Sequence, residues 1–177
     1  MRYLVIAPQL GYELTGDIVP GGLLQFGRCV VRAMASFPQI QKLGVWCQVD
    51  PIGVEDLIKK TVMSYAHSSI QLDVQGFSNS RTRLASKLMA SNIQGEYDRV
   101  MYLLVNQSSL SRLPLHPPYD VWEIGEELFL RKLSKIRRYS LQKADRLLSI
   151  SQNTAIRAMQ TVSGLPESQV VHLCLEP

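Results

Sequence analysis

Cysteine is scarce in this chain: Cys29, Cys47 and Cys174 are the only three among 177 residues. They stand far apart in apolar surroundings, which argues against a disulfide framework, fits a reducing compartment and reads each thiol as a small core residue. Histidine is equally sparse. His67, His116 and His172 show no ligand spacing with one another or with a cysteine, so no metal site is expected. No apolar run approaches the roughly 20 residues of a membrane-spanning helix; the longest is Val100 to Val105. Tyr3-Leu4-Val5-Ile6-Ala7 is too short for a secretory core and runs into Pro8, so no export signal is read and a cytoplasmic location is expected. Neither sign of charge dominates, since 19 basic against 15 acidic residues leave a net +4. That mild excess favours anionic ligands or surfaces, and nucleic acid is not expected as a partner.

What is present is an alternation of short β-branched runs with amphipathic stretches. Strands are expected at Tyr3–Ala7, Leu43–Val49, Ser69–Val74, Arg99–Val105, Asp120–Ile124, Arg146–Ile150 and Val170–Leu173. Helices are expected at Gly22–Phe37, Val54–Tyr65, Ser80–Ser91, Glu127–Lys143 and Gln152–Val162, with a proline-bearing loop from Asn106 to Pro118. Strand–helix–strand order implies an α/β fold, a Rossmann-like three-layer sandwich around a mostly parallel sheet of about seven strands. Met101-Tyr102-Leu103-Leu104-Val105 is apolar at consecutive positions, as a strand buried on both faces should be. In the first helix, Leu23, Phe26, Val30, Met34 and Phe37 form one stripe, while Gln25, Arg28, Arg32 and Ser36 fall on the wet side. A second stripe of Phe129, Leu133, Ile136 and Ala144 gives the helix after Gly125 its buried face, and Ser151 reads as an N-cap.

Several nucleotide fingerprints fail. Pro8-Gln9-Leu10-Gly11 after the first strand is not the G-x-G-x-x-G of a dinucleotide site. Gly11 to Gly16 and Gly22 to Gly27 have phosphate-loop glycine spacing, but neither is followed by a lysine and a hydroxyl. No G-x-S-x-G elbow occurs, so an α/β-hydrolase is unsupported. What remains is the polar loop from Pro8 to Gly22, ending at a helix N-terminus. Exposed amides there can hold a phosphate or a sugar hydroxyl. Equally, Gly21 and Gly22 can serve only as a tight entry into the helix.

Gly21-Gly22 opening an amphipathic helix resembles the N-terminal half of GT-B glycosyltransferases, specifically family 4. Trp122-Glu123-Ile124-Gly125-Glu126-Glu127-Leu128-Phe129 resembles that family's H-G-x-E stretch, and Arg137 to Thr154 resembles its L-x-x-A-D-x-h-h-x-x-S-x-x-T run. Val162 to Val170 is similar to the loop before its last N-domain strand, and His172 to Pro177 stands where the family has I-P-N-G-V-D. The resemblance implies an N-terminal acceptor-side domain spanning residues 1–177, with a separate C-terminal domain holding the nucleotide-sugar donor. It implies sugar transfer to a carbohydrate or lipid-linked acceptor, with retention at the anomeric carbon and without a metal or other cofactor. On this reading the chain ends where the link to the donor domain begins, and the fragment is inactive alone.

The resemblance points to Gly21, Gly22, Glu126, Glu127 and Ser151 as acceptor- or diphosphate-binding residues, with no catalytic residue assigned. Glu126 and Glu127 also read as a solvated acidic first turn that suits the helix dipole. Ile124 stands at the family's histidine and cannot hydrogen-bond an acceptor hydroxyl, so either a neighbour such as Glu123 or His116 substitutes, or the acceptor is unusual, or activity is lost. In the basic run, Arg131, Lys135 and Arg138 share one helix face; they form a peripheral membrane contact or simply the wet side of a surface helix, the plainer reading. Arg137 falls near the apolar face, to reach water by its stem or to pair with a carboxylate such as Asp145. The competing reading of the whole chain is a non-catalytic Rossmann-like binding module.

Overall fold

The computed structural model describes residues 1–8, 10, 21–48, 53–78, 80–112, 116–125 and 133–172. Its strands are β1 (Arg2–Ile6), β2 (Lys42–Cys47), β3 (Gln71–Gly76), β4 (Arg99–Tyr102), β5 (Tyr119–Glu123), β6 (Arg146–Ser149) and β7 (Ser168–Val170). Its helices are α1 (Gly21–Ser36), α2 (Val54–Met63), α3 (Arg81–Ala90), a short α4 (Ile93–Glu96), α5 (Lys135–Gln142) and α6 (Gln152–Thr161), with a 3-10 helix at Val105–Arg112. The strands form one seven-stranded sheet in the order β3-β2-β1-β4-β5-β6-β7, and every neighbouring pair is parallel. The fold is a Rossmann-like three-layer α/β sandwich.

Alternation of side chains across the sheet builds two cores. Tyr3 and Val5 of β1 face α1 and α2, where Phe26, Val30, Met34, Ile58 and Val62 close the first core. Leu4 and Ile6 face the other way, against Leu84 and Leu88 of α3, Leu110 of the 3-10 helix, Leu141 of α5 and Ala158 of α6. Each fully buried aliphatic side chain contributes about 2 kcal/mol by leaving water. Burial on both faces explains why the central strands are apolar at successive positions.

Three expectations are corrected. Phe37 lies past the end of α1 and is 52% exposed, because Pro38 stops the helix before the stripe is complete. Ile136 is 49% exposed. It sits five positions before Leu141 and so points about 140° away from it; the inward line of α5 runs instead through Arg137, Ser140 and Leu141. The stretch from Asn106 is not simply loop, since Ser108 Oγ donates to the Val105 carbonyl at 2.8 Å within the 3-10 helix. Phe129 lies outside the described residues.

At the amino ends of the central strands, one buried carboxylate ties the sheet together. Asp120 of β5 accepts Tyr3 Oη at 2.7 Å, Arg99 Nη2 at 2.7 Å, and Arg146 through Nε at 2.9 Å and Nη2 at 2.7 Å. Burial alone would raise its pKa, but the hydrogen bonds from Arg146, Arg99 and Tyr3 outweigh it and hold the carboxyl below its ordinary range. Burial, with Asp120 as neighbour, pushes the Tyr3 phenol up to about 12.

Candidate functional site

Because all the strands run one way, every strand-to-helix connection leaves from the same edge of the sheet. The order reverses beside β1: the chain moves outward to β2 and β3, then returns to β4 on the other flank of β1. α1 leaves β1 towards the first core and the 3-10 helix leaves β4 towards the second. Such a reversal opens a crevice at the carboxyl ends of the strands, the usual ligand position in open α/β sheets.

Gly21 and Gly22 begin α1 at this place. Gly22 is exposed, a Cβ there would meet nothing within 4 Å, and its φ is not among the positive ones. Neither space nor backbone conformation demands glycine at Gly22, although glycine lowers helix propensity by up to about 1 kcal/mol relative to alanine. Gly22 itself places no side chain over the first-turn amides, which have no intrahelical acceptor.

Ser151 follows β6 at the same edge, and its hydroxyl is committed to the backbone. Its Oγ accepts from Thr154 N at 3.1 Å and lies 3.0 Å from Thr154 Oγ1, capping α6. Since β4 and β5 lie between β1 and β6, Gly22 and Ser151 belong to connections roughly 14 Å apart along the sheet. They do not form one cluster. Lys135 and Arg138 are exposed on the outer side of α5, as the basic face requires. Glu126, Glu127, Arg131 and Cys174 lie outside the described residues.

The residues around the H-G-x-E position have distinct roles. Ile124 is half-buried against the first core. Gly125 turns the chain away from β5 with φ 110°, a value that side-chain-bearing residues rarely adopt. Glu123 is fully buried on the opposite face; its Oε2 accepts Ser149 Oγ at 2.7 Å and Ser168 Oγ at 3.3 Å, while Oε1 has no partner. Burial raises its pKa, against the lowering effect of the two serines. No cation lies beside it among the described residues.

His116 precedes β5 and so stands at the other end of that strand from Ile124. Its Nδ1 is 2.6 Å from the Pro117 carbonyl, an acceptor only, so Nδ1 carries the proton and Nε2 accepts the Tyr102 hydroxyl at 2.6 Å. Burial lowers its pKa, which keeps the ring neutral. Both nitrogens are engaged in hydrogen bonds within the domain.

Among the described residues, no group of three or more His, Cys, Asp or Glu side chains is placed to hold a metal ion, and no helix is long and apolar enough to cross a membrane. No family model and no curated protein matches the chain.

Proposed function

We propose that this domain is the acceptor-side half of a retaining, nucleotide-sugar-dependent glycosyltransferase of the GT-B type, acting on a carbohydrate or lipid-linked acceptor. One observation carries the reading: an exposed glycine opens the helix that follows β1, at the point where strand order reverses, with no packing reason to be glycine. The resemblance of Trp122–Phe129 and Arg137–Thr154 to family 4 supports it.

In this reading the acceptor hydroxyl enters the crevice above β1 and β4, and a second domain presents the donor. As the glycosidic bond to the diphosphate breaks, negative charge grows on the leaving oxygen. The N-terminus of α1 meets that charge with fixed amide dipoles, which cost no reorganisation when the charge appears. Peripheral contact through Arg131, Lys135 and Arg138 belongs to the case of a lipid-linked acceptor.

The test is donor screening with the intact two-domain protein, following release of nucleoside diphosphate. Gly22→Val should lower turnover by about tenfold or more, because its branched side chain covers the amides, while the melting temperature of the isolated domain changes little. Unchanged turnover would return Gly22 to a purely structural role. Ile124, which can neither donate nor accept a proton, favours the non-catalytic binding module as second reading. Ligand binding without turnover of any donor distinguishes it.

A further inference from the structure

Contacts from β4, β5 and α4 hold His116 at the amino end of β5. Its ring lies nearly parallel to that of Tyr102, with centroids 5.8 Å apart and 21° between the planes, and edge-on to Tyr119 at 5.4 Å and 82°. Its carbonyl accepts Gln94 Nε2 at 3.4 Å. Tyr102 and Tyr119 both belong to the second core.

The polarity of this cluster is fixed. The Pro117 carbonyl takes the Nδ1 proton at 2.6 Å, so the neutral ring offers Nε2 as the acceptor for the Tyr102 hydroxyl, also at 2.6 Å. The Tyr119 hydroxyl donates to the Ser140 carbonyl at 2.6 Å. Tyr102 is fully buried, and among the described residues its hydroxyl has no partner besides His116. A protonated imidazole carries a hydrogen on both nitrogens, so two donors would face each other across that bond. Reversing the bond strands the Tyr102 proton in a buried position without an acceptor.

Charges on the surrounding elements are engaged elsewhere. Arg99 of β4 and Arg146 of β6 pair with Asp120 of β5, and Glu96 of α4 pairs with Lys42. Asp145, past the end of α5, accepts the Tyr119 amide, while Arg112 of the 3-10 helix and Lys143 lie over the Tyr139 ring. The titratable groups that touch the His116 ring are Tyr102 and Tyr119, whose phenols burial keeps protonated. Burial likewise disfavours the imidazolium.

We propose that His116 is a proton-operated latch: gaining a proton turns the acceptor that holds Tyr102 into a second donor, and the charged ring leaves the Tyr102–Tyr119 cluster for water while the sheet stays folded. The ring is only half-buried, so rotation of the side chain brings it to solvent. Opening takes up one proton. The open-to-closed ratio therefore rises about tenfold per pH unit as pH falls from the ordinary histidine value towards the depressed one. The latch stands at the opposite end of the strands from the crevice, whether or not the domain serves sugar transfer.

Proton and carbon NMR of the full chain, from about pH 8 to about pH 4, tests the latch. The His116 ring should titrate below the ordinary histidine range, and the ring signals of Tyr102 and Tyr119 should move with the same midpoint. The indole signals of Trp122 in the first core and Trp46 in the second should keep their folded positions through that transition. Tyr102→Phe removes the donor that favours the neutral ring, and should raise the midpoint by about half a unit or more. His116→Gln supplies a carbonyl oxygen to Tyr102 and cannot ionise, so the pH-dependent movement of Tyr102 and Tyr119 should vanish. An unchanged midpoint in Tyr102→Phe would reduce the effect to burial alone and overturn the proposal. So would tyrosine signals that still move in His116→Gln, or indole signals lost together with the histidine titration. None of these readouts involves sugar transfer, so this proposal and the glycosyltransferase reading fail independently.

Discussion

Glu123 has no charged partner among the groups that hold it. Two serine hydroxyls meet one of its oxygens and, among the described residues, nothing meets the other, so ionising it places a charge on a buried side chain with no counterion among those residues. Its folded-state pKa is raised, and the folded protein therefore retains a proton that the unfolded chain releases. This contribution to stability is fully present below the ordinary glutamate range and is lost as pH rises through the raised value. Glu123→Gln keeps the shape and cannot ionise. Urea unfolding of both proteins from about pH 5 to about pH 9 should show the wild type losing stability relative to the variant as pH rises. A constant difference across that window would mean that Glu123 is already ionised in the folded protein at pH 5. Comparison with the variant cancels His116, whose lowered pKa works in the opposite direction over part of the same window.

At the scale of elements, Ser151 shows how local chemistry ends one segment and begins another. It stands between the last paired residue of β6 and the first residue of α6, in extended conformation, with its hydroxyl on the Thr154 amide. Ser151→Ala should cost about 1 kcal/mol, measured by chemical denaturation, and Ser151→Asp should recover most of it. A cost near zero would show that the amide finds water instead. Such signals make much of the architecture legible from sequence: a serine cap, a proline stop at Pro38 and consecutive apolar positions are local, and most strands and major helices follow from them, although β4 ends at Tyr102 rather than Val105 and β7 lies at Ser168–Val170 rather than Val170–Leu173. The 3-10 helix and α4 were not legible. Asn106-Gln107-Ser108-Ser109 has no helical periodicity, and its conformation depends on a hydroxyl-to-carbonyl bond and on Leu110 reaching the second core. Ile136 departs from the expected apolar stripe because sparse apolar residues do not determine where a helix starts; the cap at Ser134 does. The candidate site was legible only at Gly21 and Gly22.

At the scale of the molecule, parallel strands distant in sequence have to be held in register, and Asp120 does this across β1, β4, β5 and β6. The carboxylate is fully buried, whereas Arg99 and Arg146 remain 22% and 42% exposed at their side chains. Removing the negative charge leaves two guanidinium groups and a phenol without their common acceptor, and only partial access to water softens the loss. Asp120→Asn should therefore destabilise the domain by about 3 kcal/mol, towards the low end for a buried pair broken on one side. The pH dependence runs opposite to that of Glu123. With its folded pKa depressed, Asp120 contributes stability that is present above the ordinary aspartate range and lost as pH falls through the depressed value. Acid titration of unfolding should show the wild type losing its advantage over Asp120→Asn progressively below about pH 4. An advantage that persists undiminished to about pH 2 would show that the charge on Asp120 contributes nothing to stability, leaving the strand register to the two hydrophobic cores.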